Sequence, residues 1–228
     1  MLSSERLLPK MMPDICQTSK RVFSAQANIL FQGEVPASAY CVNSGYVSSY
    51  TINANGEEQI IGFFEAGDVL PVEWLFNHSP VALYYYQAFT DVELLAVRRD
   101  DLMSAIKTNR QLTNEMLDRF VSSFIGTTIH IHALEHSHSR EKLIKLFHYL
   151  VLRFGVLQAG KDKLYAIPFS LTHSQIASMI GLTRETVAIE TSKLKKNNAL
   201  DYKNGSYVIN LPKLIETIGS EEFDALKL

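Results

Sequence analysis

Arg184 and Glu185 are the two residues of this chain whose types and placement suggest the most specific chemistry. They are adjacent in the stretch GLTRETVAIETSKLKK, which runs from 181 to 196. An arginine can pair bidentately with the edge of guanine, and a glutamate can accept a hydrogen bond from the exocyclic amine of cytosine. At the exposed start of a helix, such a pair is suited to reading bases in the major groove of double-stranded DNA.

Two short helices joined by a tight turn are needed to position this pair. The sequence predicts a first helix that begins after an N-cap at Thr172 and stops at Gly181, and a second that begins after an N-cap at Thr183. This arrangement is typical of a helix-turn-helix. The hydroxyls of Thr172, Thr183 and Thr186, together with the free amides of the helix N-termini, could hold DNA phosphates.

Ile189 is an apolar residue among polar ones on the second helix, so it could belong to the core or to the DNA-facing surface. At 100° per residue, the buried face is formed by Val187, Thr191 and Leu194. The residues that point away from this face are Glu185, Ile189, Ser192 and Lys196. Ile189 is therefore expected to face the groove, where it can pack against a thymine methyl group. Glu190 falls beside the buried face, which the sequence does not explain for a carboxylate.

A hairpin follows the second helix in the segment LDYKNGSYVIN, with its turn at Asn204-Gly205. Lys203 would lie at the tip of this wing, close to the DNA backbone. Residues 139–228 hold 13 Lys and Arg against 9 Asp and Glu, whereas the rest of the chain holds 9 against 15. A basic module attached to an acidic one fits local phosphate binding.

The N-terminal half alternates short apolar or β-branched runs with turns, from about Val22 to Val97. Its glycines at 33, 45, 56 and 67 are 12, 11 and 11 residues apart, a spacing typical of short antiparallel strands. The predicted strands are ANILF, SAYCVNS, YVSSYTI, EEQIIGFF, ALYYYQAF and VELLAVR, with a hairpin turn at Asn55-Gly56. We expect an α+β fold whose N-terminal part is an antiparallel, jelly-roll-like β-roll.

A segment without proline, from Gln111 to about His136, predicts one helix of roughly 39 Å. One apolar stripe is formed by Leu117, Phe120, Phe124, Ile131 and Leu134. A second stripe beside it is formed by Leu112, Met116, Val121, Ile125 and Ile129. Two adjoining stripes favour a dimerisation helix that packs on its own β-domain and on a partner helix; an ordinary core helix is the alternative.

Composition excludes several classes of protein. The longest apolar runs, such as IIGFF, are far shorter than the ~20 residues that cross a bilayer, and the N-terminus lacks a signal-peptide core, so a cytoplasmic protein without a membrane partner is expected. Cys16 and Cys41 are too few for a disulfide framework or an all-cysteine iron–sulfur cluster, and no cofactor is expected. The sequence shows no nucleophile-base pairing, phosphate loop or metal set, so it does not predict an enzyme.

The order of β-roll, long helix and winged helix-turn-helix resembles the CRP/FNR superfamily of bacterial transcription regulators. The most specific matches are QIASMIGLTRETV at 175–187 and GDVLPVEWLF at 67–76. The resemblance implies an effector domain over 1–110, a dimerisation helix over 111–138 and a DNA-binding domain over 139–228. It also implies a homodimer on a palindromic operator with half-sites about 34 Å apart. RNA polymerase is a further partner that the sequence leaves open.

The resemblance also has departures. Members that bind cyclic AMP carry a Gly-Glu pair for the ribose and an Arg-Ser or Arg-Thr pair for the phosphate, and here these positions hold Pro71-Val72 and Ala82-Leu83. Without that arginine, which the nearby Glu73 and His78 cannot replace, cyclic nucleotide binding in the usual mode is not expected. The apolar positions could instead bind a hydrophobic effector, or the roll could be filled by its own side chains, as small barrels usually are. At Ile189 the family often has an arginine.

Five histidines, His130, His132, His136, His138 and His148, invite a metal or haem interpretation. Only His132 and His136 share an i, i+4 face, and neither cysteines nor clustered carboxylates complete a site, so a polar helix end is favoured and no metal is expected. The leading hypothesis is a dimeric, sequence-specific DNA-binding transcription regulator. The alternative is a ligand- or metal-sensing protein whose helix-turn-helix is vestigial.

Overall fold

The computed structural model describes residues 7–160 and 163–216 and divides into two compact units, with the boundary between Val121 and Ser122. The outermost parts of the predicted 1–110 and 139–228 divisions, residues 1–6 and 217–228, lie outside the described residues. In the described part of the chain, no helix combines the length and the apolar character that crossing a membrane requires.

Two antiparallel sheets of four strands each form the first unit. The strands are β1 (Thr18–Phe23), β2 (Asn28–Leu30), β3 (Ala39–Ser44), β4 (Val47–Ile52), β5 (Glu58–Phe64), β6 (Val69–Leu70), β7 (Tyr85–Ala88) and β8 (Val92–Val97). Their order is β1-β8-β3-β6 in one sheet and β2-β7-β4-β5 in the other. The helices are α1 (Leu7–Ile15), α2 (Val72–Leu75), α3 (Arg99–Thr108) and the first part of α4 (Arg110–Glu135). The predicted antiparallel β-roll is confirmed.

The roll has a continuous apolar interior because its strands alternate inward and outward side chains. On β7, Tyr86 and Ala88 are buried whereas Tyr85 and Gln87 are only partly covered. The residues that share this core are Ile29, Leu30, Val42, Val47, Leu70, Ala82, Tyr86, Ala88, Val92 and Leu94. A second core joins α1, α3 and the start of α4 to the other side of β3 and β8.

Each of the six predicted strands overlaps an observed one, but β1, β6 and the helices α1, α2 and α3 were not predicted. β1 is an edge strand with a mostly exposed Thr-Ser-Lys-Arg run, so it lacks the apolar alternation that marks a half-buried strand. β6 spans two residues. α1 contains Pro13, which counts locally against a helix.

Helix α4 spans 26 residues and confirms the predicted long helix. Its two stripes differ in environment. Leu112, Met116 and Ile129 of the second stripe are buried. The exposed apolar residues come mainly from the first stripe and are Leu117, Val121, Phe124, Ile131 and Leu134. Within the first unit, Arg119 holds the start of α4 to the roll, because its guanidinium donates to the backbone carbonyl of Ala66 and lies 3.5 Å from Glu65 Oε1.

The second unit continues from α4 into a set of helices with one small sheet. Its elements are α5 (Ser139–Phe154), β9 (Val156–Leu157), β10 (Leu164–Ala166), α6 (His173–Ile180), α7 (Arg184–Lys196), β11 (Leu200–Lys203), β12 (Ser206–Asn210) and α8 (Leu211–Glu216). The strand order is β11-β12-β10-β9. α6 and α7 are the predicted helix-turn-helix, and β11 and β12 are the predicted wing.

Candidate nucleic-acid interface

The sequence of α6 provides capping interactions at both ends of this helix. Thr172 Oγ1 accepts a hydrogen bond from the Gln175 backbone N–H at 3.2 Å, and Gln175 Oε1 accepts one from the Thr172 N–H at 2.9 Å. This reciprocal capping box satisfies two helix-end donors, although only its threonine was predicted. At the C-terminal end, Gly181 has φ 63° and ψ 42°, a left-handed conformation that glycine adopts without strain.

Helix α7 begins at Arg184 with Thr183 as its N-cap, as predicted. The Thr186 backbone N–H donates to Thr183 Oγ1 at 3.2 Å, and the two threonine hydroxyls lie 2.9 Å apart. The buried face of the helix consists of Val187, Thr191 and Leu194, which confirms the angular prediction. The helix start is therefore rigid, because a side-chain cap and a packed face both fix it.

The exposed face of α7 begins with Arg184 and Glu185. Both side chains are exposed, and neither forms an ion pair with any residue that the structure describes. Ile189 follows one turn later with 57% of its surface exposed, and Ser192 is exposed a further turn on. This face therefore presents a cation, an anion, an apolar group and a hydroxyl in succession.

The wing is a tight hairpin in which Lys203 pairs with Ser206 across the turn. Asn204 and Gly205 both have positive φ, 50° and 81°, as the predicted two-residue turn requires. Lys203 Nζ lies 2.5 Å from Asp201 Oδ2. The hydrogen bond from Lys203, followed by one from the Tyr202 backbone, lowers the pKa of Asp201. Lys203 is exposed, so a DNA phosphate would compete with Asp201 for its ammonium.

Two residues near this surface were not predicted. Lys195 Nζ lies 5.4 Å from the ring centre of Tyr202 and 5.9 Å from that of Tyr207, so a cation–π contact joins α7 to the wing. His173 is the first residue of α6, and burial, followed by the charges of Lys195 and Arg184, lowers its pKa. No spacing rule points to either residue, because their neighbours are supplied by other elements.

Glu190 has a structural explanation that the sequence did not give. Its Oε1 accepts a hydrogen bond from Lys193 Nζ at 2.6 Å, and its side chain is 12% exposed. The other carboxylate oxygen is buried and has no hydrogen-bond partner among the described residues. Glu190 and Lys193 line a polar cleft of about 450 Å³ together with the first turn of α5.

The histidines do not form one polar helix end, so that interpretation is wrong for His130 and His148. Both are buried, and His130 Nε2 lies 2.9 Å from the Met179 carbonyl oxygen. His136 Nδ1 lies 3.3 Å from Glu141 Oε2, and its ring is tilted against His132. Among the residues that the structure describes, no three His, Cys, Asp or Glu side chains are grouped to hold a metal ion.

The candidate effector residues are divided between the interior and the surface of the roll. Pro71 and Ala82 are buried, Val72 and Glu73 are half-buried, and Leu83 is exposed. Glu73 Oε1 accepts hydrogen bonds from the Leu83 backbone N–H at 3.0 Å and from the Tyr86 hydroxyl at 3.1 Å. Burial, followed by the Glu73 carboxylate, raises the pKa of Tyr86. Two donors that converge on this site are thus already occupied by the chain's own carboxylate.

A helix-turn-helix with an exposed, polar second helix, followed by a hairpin wing, defines the class of winged-helix DNA-binding proteins. The family models place the chain more specifically. Residues 141–217 match the Crp-like helix-turn-helix domain, and residues 20–109 match the cyclic nucleotide-binding domain. The chain belongs to the CRP/FNR superfamily and is a DNA-binding transcription regulator of that type. This is a family of regulators rather than enzymes, and its members are typically dimers.

Individual relatives are similar over most of their length. The global nitrogen regulator of Synechocystis is 27% identical over 208 residues, which cover 91% of this chain and 89% of that protein. The fumarate and nitrate reduction regulatory protein of Escherichia coli is 28% identical over 177 residues, or 77% of this chain and 68% of that protein.

Solved structures share the fold. The structure of FixK2 from Bradyrhizobium japonicum has a TM-score of 0.70 at 22% identity and covers 87% of this chain and 96% of its own. A CooA mutant from Carboxydothermus hydrogenoformans has a TM-score of 0.75 at 19% identity and covers 95% of this chain and 97% of its own.

Proposed function

We propose that the chain acts as a homodimer that binds a palindromic DNA operator through α7, the start of α6 and the wing. The proposed contact residues are Thr172, Thr183, Arg184, Glu185, Thr186, Ile189, Ser192 and Lys203. The observation that carries the proposal is the exposed pair Arg184 and Glu185, free of ion pairs among the described residues, at the capped end of a packed helix. A rigid support of this kind is what base recognition requires.

The contact residues divide by chemistry. Arg184 and Glu185 read a G·C pair, because their groups match guanine and cytosine edges in the major groove. Ile189 packs on a thymine methyl, which predicts a T·A step at the matching position of each half-site. The threonine hydroxyls, Ser192 and Lys203 contact the backbone or nearby edges and set the register.

Dimerisation through α4 is supported by its exposed apolar stripe, in which Phe124 has 73% of its surface exposed. A contiguous exposed apolar stripe along a helix commonly marks a surface that another protein surface covers. Phe124→Glu is expected to give monomers in analytical ultracentrifugation. Val22→Glu, a change at an exposed apolar residue of β1, is the matched control and should leave the dimer intact.

We propose three functional parts: an effector-type domain over residues 1–110, a dimerisation helix over 111–138 and a DNA-binding domain over 139–228. Cyclic AMP in the usual mode is not the effector, since Glu73 would repel a phosphate at the Leu83 N–H. If an effector exists, a hydrophobic small molecule matches the apolar surroundings best. The protein acts in the cytoplasm, where RNA polymerase is available as a further partner.

Selection from random DNA with the full chain tests this function. The expected result is a two-fold palindrome whose half-sites lie about one turn, or 34 Å, apart. Binding that depends on salt but not on sequence would contradict the proposal, because it would show phosphate attraction without base reading.

A further inference from the structure

A single buried hydrogen bond connects the end of α4 to the helix-turn-helix. His130 has 6% of its surface exposed, and its Nε2 lies 2.9 Å from the backbone oxygen of Met179. A carbonyl oxygen can only accept, so Nε2 carries the hydrogen and donates it. All these residues belong to the second unit.

The acceptor lies near the C-terminal end of α6, directly before the turn that leads to α7. Met179 is the last but one residue of α6, and the last four carbonyls of a helix have no partner within it. The His130 ring therefore caps the C-terminal end of α6 from another helix. The turn at Gly181 and the N-cap of α7 follow directly, so a shift of this end of α6 moves the start of α7, which is the proposed recognition helix.

The donor ring of His130 is also held in place by packing against α5. The His130 ring stacks on Tyr149 of α5, with ring centres 5.2 Å apart and planes 10° apart. One turn earlier on α4, a side chain at Gly126 would come within 3.4 Å of Tyr149, so the backbone of α4 approaches α5 closely there. α4, α5 and α6 thus meet around one imidazole.

We propose that His130 is a positioning residue for DNA recognition: it fixes the end of α6 against α4 and thereby sets the angle at which α7 is presented. This inference rests on the proposed α4-mediated dimer, in which each α4 carries one helix-turn-helix. A fixed angle then determines the separation of the two recognition helices and, with it, the half-site spacing that the dimer accepts. His130 itself touches no DNA.

The test measures binding of full-length protein to a series of palindromes whose half-sites are moved apart or together by single base pairs, and to a single half-site. His130→Phe keeps a ring for Tyr149 but removes the donor. His130→Gln restores an N–H near the position of Nε2. His132→Phe makes the same change two residues away on the same helix and is the matched control.

We expect His130→Phe to bind the best palindrome roughly tenfold more weakly, because the two recognition helices must then be ordered at the correct separation during binding, and to accept neighbouring spacings nearly as well. Its binding to a single half-site should change less than twofold, while the Gln variant and the His132 control keep the sharp spacing profile. A purely structural role would weaken half-site and palindrome binding alike, and that result would overturn the inference. An unchanged spacing profile in His130→Phe, or a profile equally broad in His130→Gln, would also overturn it. If the unsubstituted protein shows no spacing preference, the proposed dimeric function fails instead.

Discussion

Glu185 and Glu73 occupy the same position, the second residue of a helix, in α7 and α2 respectively. Glu185 is exposed and forms no ion pair among the described residues, whereas Glu73 accepts hydrogen bonds from Leu83 and Tyr86. The same side chain is thus available to a partner molecule in one unit and used for internal bonding in the other. Residue type and helix position alone therefore do not identify a binding group. Whether the side chain already has partners within the chain determines whether it can bind another molecule.

The surfaces at the start of α7 and around α2 also differ in character. The start of α7 combines a capped helix end with the side chains of Arg184 and Glu185, which form no ion pair with any described residue, and this combination suits recognition of an external molecule. Around α2, the Glu73 carboxylate accepts hydrogen bonds from Leu83 and Tyr86, and Trp74 and Leu75 are buried. We therefore expect changes at α7 to alter DNA binding without loss of stability, and changes at Glu73 to do the reverse.

Arg184→Ala should have the largest effect. Losing a bidentate contact with guanine costs about 1–3 kcal/mol, so affinity for the selected operator should fall roughly ten- to a hundredfold, and base preference should relax at one position. Fluorescence anisotropy on operators with single-base changes measures both quantities. Arg98→Ala, at an exposed arginine of the first unit, is the control. Unaltered affinity and specificity in Arg184→Ala would remove α7 from the interface.

Glu73→Ala should affect the stability of the protein rather than its DNA binding. The change leaves the Leu83 N–H and the Tyr86 hydroxyl without their acceptor, so the free energy of unfolding should fall by about 1–3 kcal/mol. Urea unfolding followed by fluorescence measures this, with the exposed Glu58→Ala as the control, for which a change within about 0.5 kcal/mol is expected. The DNA site selected by the variant should be unchanged. A changed site with unchanged stability would reverse the roles given to the two glutamates.

Local sequence signals were sufficient to predict most of the local structure of the candidate interface. Thr172, Gly181, Thr183 and the 3.6-residue pattern of α7 act within a few positions of one another, so they could be interpreted without a structure. The bonds of Glu73 with Tyr86 and of His130 with Met179 join residues 13 and 49 positions apart. Neither pairing leaves a periodic signature, because only the tertiary fold brings the partners together.

The same reason explains what was missed in the fold. β1 pairs along its length with β8, from Thr18 with Val97 to Phe23 with Val92, so the paired residues lie 69 to 79 positions apart, and its own exposed side chains carry no strand pattern. The exposure of Ile189 was predicted correctly because rotation about a helix is a local property. The ion pair of Glu190 with Lys193 spans only three residues and could have been predicted from i, i+3 spacing.

Ile189→Arg should change both the base preference and the salt dependence of DNA binding by the exposed face of α7. Replacing an apolar group with a cation should remove the preference for T·A at the matching position, a change of about 1 kcal/mol or less. Because arginine can also neutralise a phosphate, the dependence of log affinity on log salt should steepen by about one unit. Repeating the site selection and a salt titration measures both effects. Ile52→Arg, the same change at an exposed isoleucine of the first unit, is the control and should alter neither quantity. An unselective position in the unsubstituted protein would mean that Ile189 makes no base contact.

His173 gives the smallest expected effect. Burial and the cations Lys195 and Arg184 lower its pKa, so its neutral form is favoured in the free protein. The stability that this neutral form contributes is present above about pH 6.5 and lost as pH falls through the lowered pKa. A bound phosphate would favour the charged form, so binding should take up a proton and affinity should rise about threefold from pH 7.5 to pH 6, in excess of any general trend. His173→Gln should abolish this excess, whereas His78→Gln in the first unit should retain it. Equal pH profiles for both variants would place His173 outside the phosphate's reach.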